Sequence, residues 1–175
     1  MENAILLESG KYYSYLYPEQ NEWTIEDVAL SLSHLCRYSG QVQKFYSIAQ
    51  HCYLVSYAVD QKYALDGLLH DGVEAFMVDI PTPLKNLLPD YKRIEKQHEQ
   101  EMFKRFGLEY PMNPAVHKAD RELLCAEVMD MKVPNTHWDF CSTDVSHIAH
   151  IDPWTSDKSR KMFLKRYYQL TKGKV

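Results

Sequence analysis

The chain has 175 residues, with 20 Lys and Arg against 24 Asp and Glu for a formal net charge of −4. That is the length of one domain, able to bury roughly two-thirds of its unfolded surface without staples. Four cysteines at positions 36, 52, 125 and 141 show no C-x-x-C spacing, and no apolar leader or membrane-length run is present, so we expect a cytoplasmic protein with reduced thiols and no finger-type zinc site. Basic residues gather only near the C-terminus (Lys158, Arg160, Lys161, Lys165, Arg166, Lys172, Lys174), interleaved with Phe163 and Leu164. At helical spacing this reads as a solvated face, which argues against nucleic-acid polymers and membranes as partners.

The first twenty residues are tyrosine-rich and turn-like, and Tyr13, Tyr15 and Tyr17 alternate with Ser14 and Leu16, a pattern for a short N-terminal hairpin. Thr24 is placed to cap a first helix reaching about residue 38, with Ile25, Val28, Ala29 and Leu32 facing a core and Ser39-Gly40 breaking it. A second helix is expected over about 44–59, carrying His51, and a third from about 62 leads into His70-Asp71. Pro81 and Pro83 end that stretch, a long charged helix opens at Pro89-Asp90, and another follows Asn113-Pro114 and carries Asp120. Residues 134–153 read as a loop, after which Thr155 or Ser156 caps a terminal helix. The expected class is all-α, with no internal repeat.

His51, His70, Asp71 and Asp120 form a set of two imidazoles and two carboxylates, hard-to-borderline ligands suited to a catalytic divalent metal rather than a closed thiolate site. Taken singly, each has a plainer reading. His51 inside FYSIAQHCYLVSYAV would be a hydrogen-bonded core histidine, and Asp120 a solvated helical acid. His70-Asp71 is harder to dismiss, because an ionised aspartate directly behind Leu68-Leu69 is costly to bury unless paired or metal-bound. Glu74 stands three residues after Asp71 and four after His70, beside both on a helix. Gly72 implies a close approach by a ligand or another backbone, or a kink. Asp79, before Ile80-Pro81, reads equally as a turn residue. His34 either lines the site with Arg37 or packs, and His147 with His150 is a rival metal pair.

The order His51, His70-Asp71, Asp120 resembles the signature of HD-domain phosphohydrolases, and HDGVEAFMVDIPTPLK resembles their small 5′-deoxynucleotidase branch. Upstream, LSHLCRYSGQVQKFYSIAQH is similar to that branch's arginine followed by an aromatic, ahead of the first metal histidine. Downstream, DYKRIEKQHEQEMF and HKAD resemble its long helix and last ligand. The likeness covers roughly residues 24–127 and is nearest in style to phage-encoded members, some of which are dATP triphosphohydrolases that accompany genomes using 2-aminoadenine. The chain departs from the common pattern at Cys52, where a small hydroxyl residue is usual, and at Gly72-Val73, where alanines are usual.

This resemblance implies a single HD-domain helical bundle over residues 1–175. It also implies one divalent ion (Zn, Co or Mn) on His51, His70, Asp71 and Asp120, with Mg as a candidate second ion. A bound metal lowers the pKa of water to about 7 and polarises a phosphoryl oxygen. Glu74 would orient the nucleophile and Asp79 would protonate the departing 5′ oxygen. Arg37 and Lys85 would hold phosphate charge, and Tyr38 would stack on the base. Contacts near Gly40 would exclude a 2-amino group, and Pro81 and Thr82 would pack at the 2′ position. The implied activity is dATP or dAMP hydrolysis to deoxyadenosine. General 5′-deoxynucleotidase action and nucleotide sensing by a helical binding module are the alternatives. A homo-oligomer in the cytoplasm, that of the host for a phage protein, completes the expectation.

Overall fold

The computed structural model describes residues 3–131, 141, 145 and 148–172. Among them the chain is predominantly α-helical, with one two-stranded antiparallel sheet of β1 (Ala4–Leu6) and β2 (Tyr12–Ser14), in which Ile5 pairs with Tyr13. The expected hairpin is therefore present. Tyr13 explains why it docks: its buried ring stacks on Phe76 at 4.0 Å and its hydroxyl lies 2.7 Å from His98 Nδ1.

Helix α1 (Ile25–His34) opens on Thr24, whose side chain accepts from the Asp27 amide while Asp27 accepts from the Thr24 amide. This reciprocal box satisfies two donors that no helix can satisfy internally. The helix stops four residues short of expectation, because Leu35 turns extended and the chain pairs sideways: Ile48 N–H donates to Leu35 O at 3.1 Å and Arg37 N–H to Tyr46 O at 2.9 Å. His34 and Arg37 thus share no helix face. Instead Tyr38 (φ 58°), Ser39 (φ 52°) and Gly40 (φ 75°) make a left-handed turn.

Helix α2 (Ile48–Ala58) is capped by Ser47, and it packs against α1, α3 (Ala64–Leu69), α7 (Pro114–Met131) and α8 (Ser156–Thr171). It is the central element, which explains its nearly continuous apolar character. After α3 the chain turns through residues 70–73 into α4 (Glu74–Met77), then α5 (Thr82–Lys85), and the long α6 (Pro89–Phe106) ends on left-handed Gly107. Two buried clusters fill the interior. One centres on Val28, Leu32, Leu68, Phe76 and Phe163, the other on Tyr46, Phe103, Val116 and Leu123.

Two expectations are corrected. Arg166 is not on a solvated face: it is buried, its guanidinium donating to Ser56 Oγ and O at 3.1 and 2.9 Å and lying over Tyr57 at 3.8 Å. Nor are all four thiols reduced, since Cys125 and Cys141 form a disulfide with Cα atoms 5.3 Å apart. The pairing depends on where the chain returns in space, which sequence spacing does not report. No helix among the described residues is long and apolar enough to cross a membrane. Of the rival metal pair, His147 lies outside the described residues, and His150 Nδ1 lies 2.9 Å from Asp130 Oδ1. Most of the loop expected at 134–153 also lies outside them.

Candidate metal centre

His51 comes from α2, His70 from the end of α3, Asp71 from the turn that follows and Asp120 from α7. Three separate segments therefore meet. His51 Nε2 is 3.0 Å from Asp120 Oδ1, 3.2 Å from His70 Nε2 and 3.7 Å from Asp71 Oδ2. His70 Nε2 is 3.1 Å from Asp71 Oδ2 and 3.7 Å from Asp120 Oδ1.

Both imidazoles are oriented from behind. His51 Nδ1–H donates to Glu127 Oε1 at 2.6 Å, and His70 Nδ1–H donates to the Gly67 carbonyl at 2.8 Å. Because a carboxylate and a carbonyl only accept, these bonds leave each Nε2 lone pair facing the centre. Four acceptor atoms then face one another, an arrangement that needs a cation between them. Donors ~2.1 Å from a metal lie about 3.0 to 3.4 Å apart at octahedral and tetrahedral angles; three of the separations fall in that range and two, at 3.7 Å, lie just beyond it, so the residues present could close on a divalent ion. Without one, protons compensate. Burial opposes charging of His51 and His70, yet the carboxylates around them hold both above the usual imidazole range. Burial likewise raises Asp71, but His70 and His51 outweigh it and bring its carboxyl down to about 2.

A cavity of about 660 Å³ opens from this centre, bordered by Arg37, Tyr38, Glu74, Asp79, Pro81 and Leu124 among others. Its volume is that of a small-molecule site. Glu74 is buried, and its Oε2 has no hydrogen-bond partner. Burial and the neighbouring Asp71 and Asp79 push its carboxyl well above the ordinary range. Burial also raises Asp79. Arg37 is nearly enclosed, with Nη1 3.5 Å from Asp71 Oδ2 and Nε 3.2 Å from Glu127 Oε2.

Of the residues read from the sequence, His51, His70, Asp71 and Asp120 come together, and Asp71 and Asp120 border the cavity with Glu74, Asp79, Arg37, Tyr38 and Pro81. Lys85 is engaged elsewhere, 2.7 Å from Glu95 Oε1, and borders a smaller cavity of about 120 Å³ that Glu74 also borders. Gly40 completes the left-handed turn and does not border the large cavity. The close neighbour of Gly72 is internal: a Cβ there would meet Met102 Sδ at 2.7 Å and the Leu69 carbonyl at 2.9 Å. The Cys52 thiol, His70 and Asp71 place donor atoms within 4.8 Å of one another, and burial pushes that thiol up to about 11.

Glu127 was not singled out from the sequence. It is fully buried and accepts from Arg37, Tyr38, Tyr46 and His51. The available signal was its spacing of two helical turns from Asp120, which puts both on one face of α7.

Fold and site together define a predominantly α-helical protein with a His-Asp cluster that could hold a metal ion beside a cavity. No family model matches the chain. It is 35% identical over 165 residues to the uncharacterized protein YfdR of Escherichia coli, covering 93% of each chain, and belongs to the same family. An uncharacterized protein of Rhodobacter capsulatus is 29% identical over 126 residues, 64% of each chain.

Proposed function

We propose that this protein is a metal-dependent phosphohydrolase of the HD-domain type, acting on deoxynucleotides, with dATP or dAMP as its substrate. The observation that carries the reading is the convergence of His51 and His70 with Asp71 and Asp120, the two carboxylates bordering a cavity that Arg37 and two acids raised by burial, Glu74 and Asp79, also border. A divalent ion held by His51, His70, Asp71 and Asp120 would supply Lewis acidity and acidify water at neutral pH.

The protein's own groups divide the remaining work. Glu74, buried against Asp71 and Asp79 with one oxygen unpartnered, is suited to orient the attacking water. Asp79, which borders the cavity and whose carboxyl burial raises, is suited to deliver a proton to the departing 5′ oxygen. Arg37 keeps N–H groups beyond those bound to Glu127 and Asp71, and these can clamp phosphate oxygens. Tyr38 borders the cavity beside Arg37, whose guanidinium lies 5.5 Å from its ring centroid, and the resemblance assigns it the stacking contact with the base. Lys85 would act on phosphate only by leaving Glu95. Adenine as the base rests on the resemblance to phage dATP hydrolases.

Purified protein should carry about one divalent ion per chain, lose activity on chelation, and release deoxyadenosine from dATP or dAMP. A panel of dATP, dAMP, dGTP and ATP reads the specificity. No phosphate or triphosphate release from any member by metal-loaded protein would overturn the hydrolase reading in favour of a sensor, and equal rates across the panel would remove the adenine assignment. A homo-oligomer belongs to the same proposal and is measured by light scattering.

A further inference from the structure

We infer that Glu127 is the positioning residue that sets the metal centre and the phosphate clamp in one register, so that affinity for metal and affinity for anion depend on a single carboxylate. The inference deepens the hydrolase reading and rests on it only for the identity of the substrate.

An ionised carboxylate offers about four lone-pair positions. All four are taken. Oε1 accepts from Tyr46 Oη at 2.8 Å and His51 Nδ1 at 2.6 Å, and Oε2 accepts from Tyr38 Oη at 2.8 Å and Arg37 Nε at 3.2 Å. Glu127 therefore has no oxygen to spare as a metal ligand and acts through its neighbours. Its bond to His51 Nδ1–H turns that ring's Nε2 toward Asp120 and His70. Its bond to Arg37 Nε leaves the terminal guanidinium nitrogens for Asp71 and the cavity.

Backbone strain makes the same point independently. Tyr38 and Ser39 hold left-handed conformations, which are costly for non-glycine residues and persist only where the surroundings over-determine them. The Tyr38 hydroxyl on Glu127 and the Arg37 amide on Tyr46 O are two such restraints. The turn that presents Arg37 and Tyr38 is thus fastened to the carboxylate that orients a metal histidine.

Glu127→Gln tests this. It keeps the shape but leaves one acceptor oxygen for four donors. In folded protein we expect zinc affinity, measured by competition with a chromophoric chelator, to fall about 10- to 100-fold. Affinity of the zinc-loaded protein for inorganic phosphate should fall about tenfold or more. A purely structural role would lower the melting temperature and leave both affinities of the folded protein unchanged, and that outcome overturns the inference. So does loss of zinc affinity with phosphate affinity intact.

Tyr46→Phe removes one donor to Glu127 and should weaken both affinities about fivefold; if Glu127→Gln does not fold, unchanged affinities in Tyr46→Phe overturn the inference instead. The zinc and phosphate measurements decide the matter even for a protein that hydrolyses no nucleotide, in which case the hydrolase reading alone fails.

Discussion

Replacing Gly72 with Ala tests how tightly the turn carrying Asp71 is packed. Alanine normally stabilises where its backbone is allowed, by about 0.4–1 kcal/mol through the unfolded chain. Gly72 has no left-handed φ, so that gain applies. Opposing it, the new Cβ would sit 2.7 Å from Met102 Sδ and 2.9 Å from the Leu69 carbonyl oxygen. Overpacking of this kind costs about 1–3 kcal/mol. The steric cost outweighs the entropic gain, leaving a net loss of about 1–2 kcal/mol and a melting temperature lower by roughly 2–8 °C for a chain of this size. Met102 is flexible and can retreat, whereas the Leu69 carbonyl belongs to the backbone. A double-mutant cycle with Met102→Ala should therefore recover about 1 kcal/mol of the Gly72→Ala cost, but not all of it. Because Asp71 is the preceding residue, the single variant should also bind zinc more weakly. Calorimetry of the four proteins decides: a Gly72→Ala protein melting at or above the parent, or an equal cost with and without Met102, would refute the packing argument.

Three further outcomes are expected. His70→Ala and Asp71→Asn should lose both metal and activity, whereas Glu74→Ala should keep the metal and lose most turnover, as metal analysis beside kinetics will show; near parental rates in Glu74→Ala would remove its assigned role. Asp79→Asn should slow hydrolysis of nucleotides about 100-fold or more yet barely affect p-nitrophenyl phosphate, whose leaving group needs no proton; equal losses on both substrates would deny Asp79 the role of acid. Glu127, despite burial, is held down to about 2 from 4.5 by Arg37 and His51. A depressed carboxyl stabilises the fold above its unfolded pKa, so on the order of 3 kcal/mol should be lost as metal-free protein is acidified from about 4.5 to 2. Acid titrations of the parent and Glu127→Gln will show it, and equal slopes in that window would refute the assignment.

The cluster of His51, His70, Asp71 and Asp120 was legible only as a set, since His51 and Asp120 read singly as a core histidine and a solvated helical acid. His70, Asp71 and Glu74 are close in sequence, and the Thr24 cap is a four-residue affair. Their partners were not legible, because they depend on which helix faces which. Glu127 looks, in sequence, like its exposed neighbour Asp130 on the same helix, and only the arrival of Arg37, Tyr46 and His51 makes it the buried anion. Lys85 looks free until α5 meets α6 and Glu95 takes it. The end of α1 was set by pairing with the segment before α2 rather than by any breaker.

Val78 carries the same lesson into the site itself. It lies between Glu74 and Asp79 with φ 61° and ψ 153°, a region nearly reserved for glycine and costing about 1–3 kcal/mol. Nothing in the stretch FMVDI marks it. The conformation is sustained by the Val78 amide donating to Glu74 O at 2.9 Å and by the Tyr91 hydroxyl reaching the Met77 and Val78 carbonyls at 3.0 and 3.1 Å. The chain path linking the two raised acids of the cavity is therefore held by a tyrosine on α6, an element that contributes none of the metal donors.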